Sequence, residues 1–137
     1  MTEPGPDEVL DNLVQVSFTV MALLSRAAAA HDLSLTQLRA LAILRDRTPK
    51  MAELAEHLGL DRSSVTGLID RAVKRGLVRR EASADDGRSV RVGLTEEAHR
   101  LARKLEVEIA GLLGPLTRDL TPAERNRLGA LLGRMLP

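Results

Sequence analysis

The stretch MAELAEHLGLDRSSVTGLIDRAVKRGLVRREASADDGRSVRVGLT, residues 51–95, decides the fold. Its first eight residues have helical spacing, and Gly59 stands where a helix end commonly needs a left-handed residue. Asp61 can cap the next helix, which the apolar set Val65, Leu68, Ile69, Ala72 and Val73 carries from Arg62 to about Arg75; Gly76 can end it. The interval between the two helices holds only a tight turn, so the pair reads as helix–turn–helix. After Gly76 the period changes. Leu77–Ala82 has strand character, Ser83–Arg88 is a polar turn with an Asp-Gly pair, and Val90, Val92 and Leu94 alternate with Ser89, Arg91 and Gly93. A β-hairpin with a charged tip, a candidate wing, is expected.

Outward from this centre the chain reads as helix. On the N-terminal side, Ser34 and Gln37 form a capping box for a helix expected to stop near Arg47, before Thr48-Pro49. A longer helix is expected from Asp7 to Ala30. On the C-terminal side Thr95 caps a long helix that Gly111, Gly114 or Pro115 should bend or end. Thr121-Pro122-Ala123-Glu124 combines an N-cap, proline at the first helical position and a capping glutamate, and opens the last helix. We therefore expect a mainly α fold: a winged helix-turn-helix at 33–95, an N-terminal dimerisation helix within 1–32, and a long helix plus a dimerisation helix within 96–137.

Composition narrows the function. The 137 residues are 44% apolar, yet Phe18 is the only aromatic, which argues against binding single strands by base stacking. The absence of cysteine excludes disulfides and thiolate metal sites. His31, His57 and His99 lack metal-ligand spacing. Net charge is only +1, but Asp61–Arg91 holds eight Lys/Arg against five Asp/Glu, a local basic excess. The acidic N-terminus has no basic leader, and polar residues interrupt the first helix, so we expect a cytoplasmic protein with no membrane partner. No nucleophile–base pair is evident, and neither catalytic activity, cofactor nor metal is expected.

The outer face of the fourth helix presents Arg62, Ser63, Ser64, Thr66, Gly67, Asp70, Arg71 and Lys74. Hydroxyls, a glycine and cations suit close approach to a major groove. Arg88 at the hairpin tip can enter a minor groove, with Asp86 or Asp85 holding the guanidinium. A solvated face, or a winged helix that binds protein, is the competing reading; the latter needs an apolar patch where this face is polar. The apolar stripes of the first and last helices exceed what a winged-helix core can cover, and a second copy of the chain would bury them.

The segments LSLTQLRALAIL (33–44) and MAELAEHLGLDRSSVTGLIDRAVKRGLVRR (51–80), followed by Asp86-Gly87-Arg88 and Leu94-Thr95, resemble the MarR family of bacterial regulators. The resemblance implies a homodimer on double-stranded DNA, with Ser63, Thr66 and Arg71 as groove or phosphate contacts and Arg88 as the wing arginine. It implies a repressor of palindromic operators, helix 62–75 lying in the major groove and wing 83–88 in the minor groove. It further implies a small, anionic effector near the junction of the lobes, within reach of Arg26, His31 and Arg39. The chain departs from the family at Leu38, often aromatic, at Gly67, often larger and polar, and at Lys50, often a capping Ser or Thr.

Overall fold

The computed structural model describes residues 3, 5–83 and 87–137. Among these, six α-helices, a short 3-10 turn and two strands follow one another. They are α1 (Pro6–Ala29), α2 (Leu35–Leu44), α3 (Met51–Leu58), α4 (Arg62–Lys74), β1 (Val78–Ala82), β2 (Val90–Leu94), α5 (Glu96–Leu113), the turn Gly114–Thr117 and α6 (Pro122–Met135). Asp85 and Asp86, expected in the wing turn, lie outside the described residues.

Local chemistry sets the element ends. The Ser34 hydroxyl accepts from Gln37 N while the Gln37 carbonyl oxygen accepts from Ser34 N. Thr121 and Glu124 repeat the arrangement at α6. Lys50 has no acceptor to offer, so α3 keeps half of such a box: Lys50 N donates to Glu53 Oε1 at 3.0 Å. Gly59 (φ 67°) and Gly76 (φ 73°) take the left-handed conformation that stops α3 and turns the chain out of α4. Helix α2 ends at Leu44, three residues before the expected stop. The Arg45 guanidinium there binds Asp46 and Glu106 Oε1 of α5, and the chain straightens to pair with the hairpin.

One apolar cluster holds the molecule together. Leu41 and Leu44 of α2, Leu54 of α3, Val65 and Ile69 of α4, and Val78, Val92 and Leu94 of the hairpin are buried in it. Ala28 of α1 and Ala98 and Leu105 of α5 join the same cluster, so the flanking helices are seated on the winged-helix core. Full burial of a side chain such as Leu54, Ile69 or Val65 is worth about 1.5–3 kcal/mol each. Strands β1 and β2 are antiparallel, from Val78 opposite Leu94 to Ala82 opposite Val90. A third backbone segment joins them: Val92 N donates to Pro49 O at 2.9 Å, and Lys50 bridges Arg91. Two expected core positions are corrected. Val73 is 36% exposed and Val90 39% exposed, because α4 and β2 both run past the edge of the core at those residues.

The ends of the chain are different. No residue of α6 is buried. On α1, Val9, Leu10, Val16 and Phe18 are all more than half exposed. By length and composition α1 could cross a bilayer, and none of its most apolar 18-residue window is buried.

Candidate DNA-binding face

Helix α4 begins at Asp61, whose Oδ1 accepts from Ser64 N at 2.7 Å and from the Ser63 hydroxyl at 2.9 Å. These bonds, the Ser64 amide foremost, hold the carboxyl below its ordinary value. One turn on, the Thr66 hydroxyl donates to Arg62 O at 2.9 Å. Because Val65, Leu68 and Ile69 point into the core, Arg62, Ser63, Ser64, Thr66 and Arg71 are left on one exposed surface, with Lys74 exposed at the far end.

Gly67 is half-buried on the same helix. A Cβ built there would lie 3.3 Å from Arg71 Nη1, its one close neighbour. The missing side chain gives the Arg71 guanidinium room to lie back along the helix. Asp70 is the one acid on the outer face, and it is not solitary: its carboxylate accepts from Arg80 Nη2 of β1. That ion pair ties the fourth helix to the hairpin, and nothing in the sequence spacing had singled it out.

The hairpin turn is closed by Ser83 N donating to Ser89 O at 3.0 Å, and Arg88 beyond it is exposed. The wing is fastened to the α2–α3 connection as well as to α4, since Arg91 Nη1 donates to Thr48 O at 2.9 Å. Asp86, the expected partner of Arg88, falls outside the described residues. Among the described residues no three His, Asp or Glu side chains converge as a metal ion would require.

The contacts of the three residues expected near an effector do not bring them together. His31 Nε2 lies 2.8 Å from Glu108 Oε2 of α5. Arg39 Nη2 donates to His57 O at the end of α3. Arg26 is exposed in the last turn of α1. Arg75, which sequence reasoning passed over, reaches back from the end of α4 to donate to Asp32 O and His31 O. The one signal available was a cation beside the glycine that ends α4.

Comparison with known proteins agrees with this geometry. Residues 31–89 match the MarR family. An uncharacterized helix-turn-helix transcriptional regulator of Bacillus subtilis, YfiV, is 43% identical over 75 residues, covering 54% of this chain. The chain matches about half of that protein's own length, 47%. The crystal structure of apo MarR from E. coli is 28% identical and superposes with a TM-score of 0.77, covering 99% of this chain and 100% of that one. A mutant MarR from E. coli complexed with operator DNA is 27% identical, with a TM-score of 0.74 over 98% of this chain and 100% of that one. The winged-helix segment thus matches the MarR family in sequence, and nearly the whole chain matches the fold of MarR from E. coli.

Proposed function

We propose that the protein is a sequence-specific double-stranded DNA-binding repressor that acts as a homodimer on a palindromic operator. In this reading helix 62–75 enters the major groove and wing 83–88 the minor groove. The observation that carries it is the outer face of α4: exposed hydroxyls and cations, backed by a buried apolar face, with the one acid already paired. The operator complex of the E. coli MarR mutant, whose fold this chain shares, supports the same reading. The exposed apolar residues of α1 and α6 are then the surface of the second copy rather than of a membrane. A small anionic effector would find Arg26 and His31 at the α1–α2 corner and Arg39 on the outer face of α2. An anion there would compete with Glu108 for His31.

The test is a binding titration on duplexes the protein retains from its source genome, against random duplex and at several salt concentrations. Arg71→Ala should lower specific affinity by about 1–3 kcal/mol if it makes a bidentate base contact. Arg88→Ala should reduce the slope of log affinity against log salt by up to roughly 2 per dimer, at about 0.9 for each phosphate neutralised. Failure of the wild-type protein to prefer any duplex over random DNA would overturn the proposal.

A further inference from the structure

Helix α4 is unevenly held. Its first two turns are anchored by Val65, Leu68 and Ile69, each at most 5% exposed. Its last turn has no comparable anchor: Val73, Lys74 and Arg75 are exposed and Ala72 is only half-buried. Besides the Asp70–Arg80 ion pair and the buried Leu77 that follows, that end is held by Arg75, which reaches the α1–α2 corner. The residue caps α4 in a helical conformation, and its guanidinium spreads over two consecutive carbonyls, Nη1 to Asp32 O at 2.8 Å and Nη2 to His31 O at 3.0 Å. A planar fork with two bonds fixes orientation as well as distance, which a lone ammonium does not.

The receiving corner suits a cation. His31 and Asp32 follow directly on the C-terminal end of α1, a 24-residue helix whose last carbonyls carry the negative end of its dipole. Asp32 has φ 57°, a left-handed turn that aspartate tolerates better than most residues. The same corner is held from the other side, where the half-buried His31 imidazole meets Glu108 of α5 at 2.8 Å. One dipeptide thus receives the recognition helix through its backbone and α5 through its side chain.

We infer that Arg75 is a positioning residue that fixes the angle of α4 against the flanking helices, and so the separation of the two recognition helices in the dimer. The inference rests on the DNA-binding reading above. A two-fold axis copies any tilt of one α4 into the other, so the error in their separation is doubled. Adjacent half-sites of such dimers lie about one helical turn of DNA apart, and a shift by one base pair is roughly a tenth of that turn. A dimer with clamped helices discriminates sharply between spacings; one with loosened helices does not.

The experiment uses the full-length dimer and a duplex panel in which the two half-sites keep their sequence while the spacer is changed by one or two base pairs either way. Wild-type protein should lose about tenfold or more for each base pair, the scale of a single mismatch. Arg75→Ala should flatten that profile to a few-fold while binding at the best spacing changes less. Arg75→Lys should behave like Arg75→Ala, because charge without the fork does not set the angle. Glu108→Ala, which frees the corner from α5, should flatten it too. Thermal melts at matched concentration check that each variant is folded. An Arg75→Ala protein that loses affinity equally at every spacing, or whose salt slope falls by up to roughly 2 per dimer, marks Arg75 as a stability or phosphate residue and overturns the inference. If wild-type protein distinguishes no duplex from random DNA, it is the DNA-binding reading itself that fails.

Discussion

Replacing Gly67 by alanine should separate stability from binding. A glycine inside a helix is less favourable than alanine by roughly 0.5–1 kcal/mol, because the unfolded chain has more freedom to lose. Gly67 lies mid-way along α4, so the full helical gain applies if the added methyl fits. The structure gives one obstacle, Arg71 Nη1 at 3.3 Å from the new Cβ. That atom is the far end of a long, exposed side chain, and it need move only a few tenths of an ångström. We therefore expect a net gain of about 0.5 kcal/mol or more, a rise in melting temperature of roughly 2–4 °C for a chain of this size. Chain concentration must be held constant, because association adds its own stabilisation. Operator affinity should move the other way. The methyl displaces Arg71 and thickens the helix where it meets the groove, so specific binding should weaken toward the lower end of the 1–3 kcal/mol typical of a good bidentate contact. Scanning calorimetry and titration with specific and random duplex measure the two quantities on one sample. A lowered melting temperature would mean that Arg71 cannot yield. A more stable protein with undiminished affinity would mean that this part of α4 does not approach DNA closely.

Other expectations follow from the core, the cap and the chain ends. Leu54 is fully buried, and Leu54→Ala should destabilise by about 2–5 kcal/mol in denaturant titrations; a loss under 1 kcal/mol would show that α3 is not seated as described. The Asp61 carboxyl is held below its ordinary 3.8 by the Ser64 amide, so its stabilisation is present above that pH and fades as the pH falls through the lowered value. The stability difference between wild type and Asp61→Ala should accordingly be present at neutral pH and shrink in strong acid; a pH-independent difference would remove the cap's charge from the account. Deleting residues 121–137 should yield monomers or aggregates, and light scattering that finds an intact soluble dimer would refute the role given to α6.

The local signals that the sequence carries are those whose cause is also local. Gly59 and Gly76 are read as helix ends because few other residues take φ near +70° cheaply, and both do take it. The Ser34–Gln37 and Thr121–Glu124 boxes involve partners three residues apart, and they form as expected. Errors begin where the cause is distant. Val73 and Val90 fit their periodic patterns but stand at the rim of the core, and periodicity does not record where a neighbouring element stops. The early end of α2 depends on Glu106, some sixty residues away, and on the hairpin that pairs with Lys50. The outer face of α4 was legible as a list of residues, but its electrostatics were not. Asp70 counts as an acid in the sequence, and only the folded hairpin brings Arg80 to it. Arg75 looked like one more cation in a basic stretch, and its partners are backbone carbonyls, which no residue pattern encodes.

The inward-turned hydroxyls of α4 have a consequence for recognition. The Ser63 proton is committed to Asp61, and the Thr66 proton to Arg62 O. Each oxygen therefore faces outward with lone pairs alone. A phosphate, which has only lone pairs, finds no donor in either. An exposed amino group does: the N6 of adenine or the N4 of cytosine in a major groove. Unless DNA breaks these bonds, the two hydroxyls on the front of the helix would serve as acceptors for base amino groups, and phosphates would be left to donors such as Arg62 and Lys74.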